Sequence, residues 1–371
     1  MFIDLLSKAE KHFKSGKPFV LYRKPMEQTV KAIFQANDML HYVNDYTENG
    51  FVFAPFNDEN KTILLQVDEA LEADFDLTIA TKTIALSENI LKDEQKEFHI
   101  ALVKKALKSI GQQQFKKVVI SRCLEVNFDD SAFDLYTNLL RIYSNAFCYL
   151  FYHPKVGLWL GATPELLLTT ENKQLKTMSL AGTQKYTGNE HPVWGTKELE
   201  EQELVTKYIA AALADEVSEL KISETTSVRA GDLWHLRTSV SGRLRNNTLK
   251  NVVAALHPTP AVCGMPKNAS KAFILKNENY NRAYYTGFLG ELNFKTEVFR
   301  DSNKRNKENQ AYKAIKNTTS LYVNLRCMKI ENLKASIYVG GGITAASNPE
   351  KEWEETKAKS ETMLKVFNKY S

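Results

Sequence analysis

Cysteine is scarce in this chain, with four among 371 residues, at positions 123, 148, 263 and 327. Neither CxxC nor Cys/His spacing occurs, which argues against a zinc site or a disulfide scaffold and for reduced thiols in the cytoplasm. No run of about 18 apolar residues is present, so no membrane-spanning helix is expected. The start, Met1-Phe2-Ile3-Asp4-Leu5-Leu6, carries an acid and no basic segment, so no signal peptide is expected either. Charge of a single sign is also lacking, since 49 Lys and Arg against 44 Asp and Glu leave only +5. That excess suits an anionic small molecule, and it is equally the charge of an ordinary solvated surface. The lysines of the polar stretch 301–316 are mixed with acids and few aromatics, which is a poor nucleic-acid footprint. No repeat at a solenoid period is found.

Apolar residues make up 43% of the chain, ample for a large core in one large domain or two. Before residue 93 there are short apolar runs, such as Gly50–Phe56 and Thr62–Val67, that read as strands, and no chemical motif. Residues 93–111 read as a helix. Lys116–Arg122 reads as a strand. Tyr149–Tyr152 with Val156–Leu160, and Leu166–Thr170 with Leu175–Leu180 around Asn172, read as hairpins. The strongest helical period runs from Glu198 to Leu220, through Val205, Ile209, Leu213 and Val217. Residues 301–316 are polar and are expected to form a solvated loop between the strands Gly287–Leu292 and Ser320–Arg326. A last helix should run over about 349–368, with Ser347 as N-cap, Glu350 closing a capping box and Pro349 in the first turn.

Several residue types at these places carry chemistry. Glu198 and Glu201, and again Glu352 and Glu355, lie three apart near a helix start, each pair on one helical face. Brought together they would repel without a cation, and an all-oxygen set suits Mg²⁺; taken alone, glutamates in a first turn are also ordinary surface. Gly340-Gly341-Gly342 after a strand exposes backbone amides to an anion, or marks a bulge. Arg326 suits a carboxylate. Lys117 opens an apolar strand, where desolvation favours a general base. Glu165, between Thr163-Pro164 and Leu166-Leu167-Leu168, has the setting of a general acid. His235 and His257 are either core or site residues.

The order of the motifs is more specific than any one of them. Lys-Val-Val-Ile-Ser-Arg, Gly-Ala-Thr-Pro-Glu, Leu-Ala-Gly-Thr, Lys-Glu-x-x-Glu, His-Leu-x-Thr, Leu-His-Pro-Thr-Pro-Ala-Val, Glu-x-x-x-Arg-x-x-Tyr-x-Gly and a C-terminal Gly-Gly-Ile followed by Glu-x-x-Glu succeed one another over 93–371. This series resembles the chorismate-utilising enzymes, with Lys117, Ala181 and Cys263 resembling the isochorismate-forming branch. The resemblance implies an α+β fold of two large, mainly antiparallel sheets packed as a sandwich with helices outside. Residues 1–92 would complete the sandwich and 93–371 would form the catalytic region. It implies that Lys117 deprotonates a water attacking C2 of chorismate and that Glu165 protonates the departing C4 hydroxyl. Glu201 and Glu355 would bind Mg²⁺ directly, and Glu198 and Glu352 through water. Tyr322, Arg326, Lys359 and the amides of Gly340, Gly341 and Gly342 would hold carboxylates. Ala181, Gly182, Thr183, His235, Ala261 and Val262 would line the pocket. The enzyme would be a cytoplasmic monomer with no amidotransferase subunit, its product serving menaquinone or siderophore synthesis. Salicylate formation with pyruvate release, or chorismate binding without turnover, are the competing expectations. Gln202, where the family usually has histidine, departs from the pattern.

Overall fold

The computed structural model describes residues 1–76, 79, 82–86, 93–186, 188–189, 191–230, 233–245, 249–299 and 313–367. The chain opens with helix α1 (Phe2–Lys14) and strands β1 (Phe19–Arg23), β2 (Thr29–Phe34), β3 (His41–Tyr42), β4 (Gly50–Ala54), β5 (Ile63–Leu65) and β6 (Glu69–Asp74). Helix α2 (Asp93–Gly111), β7 (Lys117–Asn127) and α3 (Ala132–Ile142) follow. Four strands come next, β8 (Phe147–His153), β9 (Gly157–Thr163), β10 (Leu166–Glu171) and β11 (Gln174–Lys185). Helix α4 (Thr196–Leu213) precedes β12 (Val217–Ile222), β13 (Thr226–Ala230) and β14 (Leu233–Leu244). Then come α5 (Leu249–Leu256), β15 (Gly264–Met265), α6 (Lys267–Asn277) and β16 (Phe288–Phe299). The chain closes with β17 (Lys313–Val323), β18 (Cys327–Glu331), β19 (Lys334–Ile343) and α7 (Pro349–Leu364).

The strands form two antiparallel sheets. One has the order β15-β7-β19-β18-β9-β8-β1-β2-β6. The other runs β12-β14-β11-β10-β17-β16-β4-β5-β3, with β13 attached to β14. Residues before 77 therefore supply strands to both sheets. Alternation along each strand sorts side chains to two faces. On β1, Phe19 and Leu21 face the helices α1 and α3, while Val20 and Tyr22 face the other sheet. The layer between the sheets is aromatic: Tyr22, Phe147, Tyr149 and Trp159 from one side meet Phe51, Phe53 and Tyr322 from the other. Outside the second sheet, Val205, Ile209 and Leu213 of α4 pack with Val252 and Leu256 of α5. This is the α+β sandwich with outer helices that the resemblance implies.

Most expected elements are present, and four differ. The helix from Glu198 stops at Leu213, and Val217 and Leu220 belong to β12. The apolar period continues past the helix end because Leu213 and Val217 bury in the same cluster. The N-cap of α7 is Asn348, whose Oδ1 accepts from the amides of Glu350 and Lys351, and Ser347 Oγ accepts from Thr344 N in the preceding turn. Gly340–Gly342 lie within β19, paired with Ser121, Ile120 and Val119, instead of following a strand. Of the polar segment 301–316, residues 313–316 are strand in β17, and 301–312 lie outside the described residues.

Trp159 is fully buried, stacked on Tyr338 with ring centroids 5.5 Å apart and edge-on to Phe53 and Tyr284. Trp159→Ala should lower the unfolding free energy by about 3–5 kcal/mol, read from the urea midpoint. A loss under about 1 kcal/mol would mean that the inter-sheet layer repacks freely.

Candidate active site

One cavity gathers segments that lie far apart in the chain. Its walls are the β9–β10 junction at Glu165, β11 at Leu180–Thr183, the first turns of α4, the loop at Ala261–Val262, Tyr285 with Thr286, the turn at Arg326, and β19 facing α7. Of the residues singled out from sequence, Glu165, Ala181, Gly182, Thr183, Glu198, Glu201, His235, Ala261, Val262, Arg326, Gly340, Gly341, Gly342, Glu355 and Lys359 all line it. Lys117 and Glu352 stand just behind the wall. Lys117 is fully buried and donates to Glu201 at 2.8 Å. Glu352, 2% exposed in its side chain, accepts from Lys197 at 2.7 Å.

Tyr322 is not at the site. Its ring stacks on Phe147 at 4.3 Å within the inter-sheet layer, opposite in strand parity to Leu321 and Val323. The cavity aromatics are instead Tyr285 and Tyr338, which stack on each other at 5.3 Å. Sequence reasoning missed these two and Lys197. Signals existed for two of them, because Tyr285 is the tyrosine of Glu-x-x-x-Arg-x-x-Tyr-x-Gly and Lys197 opens Lys-Glu-x-x-Glu.

Local structure explains how each group is held. The pairing of β11 with β14 slips between Ala181 and Thr183, and Gly182 there takes φ +65°, which a side chain disfavours. The slip lets α4 approach, and a Cβ on Gly182 would stand 3.2 Å from that of Glu198. Gly342 has a different reason. A Cβ on it would come 2.7 Å from Glu201 Oε1 and 3.0 Å from Lys117 Cε, so the ion pair needs a bare backbone beside it. Behind the wall, Arg282 joins two segments, donating to Val119 O at 2.7 Å and to Val262 O at 3.0 Å while paired with Glu278 at 2.6 Å.

The charges are arranged unevenly. Burial pushes the Glu165 carboxyl up to about 8, although Lys117, Arg326 and Lys359 pull the other way. At neutral pH it therefore holds a proton, as a general acid must. Burial, Arg326 and Lys359 push His235 down to about 3, so its ring is neutral. Arg326 donates to His235 Nε2 at 2.9 Å, which leaves the proton on Nδ1, facing Gly182 O at 3.3 Å and Thr183 Oγ1 at 3.2 Å. Burial would raise Glu201, but Lys117, Lys359 and Lys197 outweigh it and hold the carboxyl below its usual range. Burial and then the Glu355 charge push Glu352 up.

The four glutamates do not form a bare cluster. Among the described residues no group of three His, Cys, Asp or Glu side chains is close enough to hold a metal. Lysines intervene: Lys117 pairs with Glu201, Lys197 with Glu352 and Lys359 with Glu355, the last at 2.7 Å. A divalent cation still fits the chemistry of the site. Glu352 Oε2 is buried without a hydrogen-bond partner. A Cβ on Gly341 would lie 3.5 Å from Glu352 Oε2 and 3.7 Å from Glu355 Oε1, so its absence leaves room beside both carboxylates. Hard oxygen donors with space for water suit Mg²⁺.

The raised Glu165 has a measurable consequence. The folded carboxyl keeps its proton up to about 8, whereas the ordinary value is 4.5. Its contribution to stability is therefore full below the ordinary value and fades as pH rises towards the folded one. Glu165→Gln should remove that part of the pH dependence, read as urea midpoints across the interval. Parallel curves for the two proteins would contradict the buried, protonated carboxyl.

Known proteins resemble the chain in sequence and in fold. Family models described as chorismate binding enzyme match residues 24–298 and 312–365. The isochorismate synthase EntC of Escherichia coli is 30% identical over 279 residues, 72% of this chain and 66% of that protein. The isochorismate synthase DhbC of Bacillus subtilis is 31% identical over 221 residues, 56% of this chain and 50% of that protein. The match thus spans two thirds of these relatives' lengths at most. A crystal structure of a putative 2,3-dihydroxybenzoate-specific isochorismate synthase, DhbC from Bacillus anthracis, superposes with a TM-score of 0.77 at 22% identity, over 98% of this chain and 99% of that one. With family models covering most of its length, the chain belongs to the chorismate-binding enzymes.

Proposed function

We propose that the chain is an isochorismate synthase, an isomerase that adds water at C2 of chorismate and expels the C4 hydroxyl. The observation that carries this reading is the buried Glu165, its carboxyl pushed up to about 8, in one cavity with Arg326 and Lys359 and backed by Lys117. Anionic carboxylates of the substrate would meet the Arg326 guanidinium and the Lys359 ammonium. Lys117 would take a proton from the attacking water, and Glu165 would give one to the leaving oxygen, ending as a carboxylate. Water enters and water leaves, so the substrate gains and loses no atoms overall. An ammonium has no lone pair, so Lys117 would first have to pass a proton away, and the Glu201 carboxylate at 2.8 Å is an acceptor within reach.

Glu201 and Glu355 would hold Mg²⁺ directly, with Glu198 and Glu352 reaching it through water. Bound there, the ion would supply positive charge to a substrate carboxylate. Ala181 leaves the pocket floor without the nucleophilic lysine of aminodeoxychorismate enzymes, which favours water as nucleophile. On this reading the enzyme works as a cytoplasmic monomer and needs no amidotransferase subunit. Every assigned residue falls within 93–371, and the strands before residue 77 serve the sandwich.

The test is incubation with chorismate and Mg²⁺, with and without chelator, followed by chromatography. Chelator-sensitive isochorismate without pyruvate is the expected result. Salicylate with pyruvate would move the protein to the neighbouring activity, and no conversion would overturn the proposal. Lys117→Ala and Glu165→Ala should each reduce kcat by about 10²–10⁴-fold with the fold retained. Tyr322→Phe should leave kcat and KM within about twofold, because its ring lies outside the cavity. A large rise in KM would return Tyr322 to the substrate site.

A further inference from the structure

Lys197 has no role in the reaction outlined above, yet it occupies a central place in the site. Its side chain is 28% exposed and lines the cavity, while its ammonium donates to Glu352, which lies behind the wall. The carboxylate it covers has its second oxygen buried without a partner. That oxygen and Glu355 Oε1 both border the space left by the missing side chain of Gly341. Two carboxylates bordering one space repel each other unless a cation lies between them. Glu355 has Lys359 for its charge, and Lys359 is tied as well to Gly340 O at 3.0 Å. Glu352 has Lys197, which pairs with its Oε1 at 2.7 Å.

We propose that Lys197 is a resident counter-cation for Glu352 that competes with a divalent metal for this carboxylate. The inference rests on the reading of the glutamates as Mg²⁺ ligands and goes beyond it. An ammonium is a compact point charge on a flexible stem, able to neutralise a carboxylate and to swing away. It keeps Glu352 and Glu355 turned towards the same space before the metal arrives. When Mg²⁺ or one of its waters takes hold of Glu352, the ammonium has to leave. The site thus exchanges one cation for another, and its metal affinity is lower than four glutamates would otherwise give.

Titration calorimetry with MgCl₂ alone, without substrate, tests this on the full chain. Lys197→Met should bind Mg²⁺ about tenfold more tightly than the unaltered protein. Lys197→Gln should give the same gain should the methionine variant fold poorly by circular dichroism. Lys197→Arg keeps the charge and should bind within about twofold of the unaltered protein. Lys351→Met removes an exposed lysine next to Glu352 in sequence and should change affinity less than about twofold. Unchanged or weaker binding in Lys197→Met and Lys197→Gln would overturn the competition, as would an equal gain in Lys351→Met. Absence of Mg²⁺ binding in every protein would instead overturn the metal reading and this inference with it.

Discussion

Two lysine–glutamate pairs span the space between the sheets, and the site depends on both. Lys117 belongs to β7 of the first sheet, whereas Glu201 belongs to α4, which packs on the second. Lys197 of α4 reaches Glu352 of α7, which lies against β19 of the first sheet. Buried pairs of this kind lose in desolvation much of what they gain in attraction, so they are poor sources of stability. They are good sources of position, because breaking one leaves a buried charge without its partner. Gln202 adds to this. Its side-chain oxygen accepts from Ala181 N, and its nitrogen donates to Ser179 O, Ser179 Oγ and Thr238 Oγ1. Standing next to Glu201, it fixes the register of α4 on the strands that form the pocket floor. An amide does this at any pH, where the histidine usual in the family would titrate.

The electrostatics of the cavity follow from burial acting on groups of both signs. Glu165 is held neutral by burial against the pull of three cations. His235 is held neutral by burial together with two of the same cations. A carboxylate bound at Arg326 and Lys359 would offset those cations as seen from Glu165 and hold its proton more firmly. On the proposed mechanism, an anionic substrate bound there would thus strengthen the Glu165 acid with no added residue.

Much of this fold was legible in the chain because hairpins and outer helices are local. The β8–β9 and β10–β11 hairpins follow from short alternating runs around His153-Pro154-Lys155 and Asn172, the latter at φ +54°. The overrun of α4 has a physical origin, since a residue one turn beyond Leu213 buries equally well as the first residue of a strand. The exchange of Tyr322 for Tyr285 and Tyr338 has another. Motif order assigns a segment to the site, but strand parity decides which side chain of the segment arrives there. The ion pairs were beyond reach for a third reason. Lys117 and Glu201 are 84 residues apart, and Lys197 and Glu352 are 155 apart, so no local period relates them.

The polar site and the aromatic core are also mechanically continuous. Tyr338 stacks on Trp159 on one side and on Tyr285 on the other, and both tyrosines line the cavity. Trp159 in turn meets Phe53 of the opposite sheet, whose ring lies on Tyr284 at 4.3 Å. Aromatic rings have few rotatable bonds and bury large areas, so a wall made this way loses little entropy in being held still. Elsewhere the lining is ionic, with Lys197, Glu201, Glu355 and Lys359, long side chains held by ion pairs. The cavity therefore has a rigid aromatic face, continuous with the layer between the sheets, and an exchangeable ionic face. On the proposed reading, a ring-shaped anion would be oriented by the first while cations rearrange on the second.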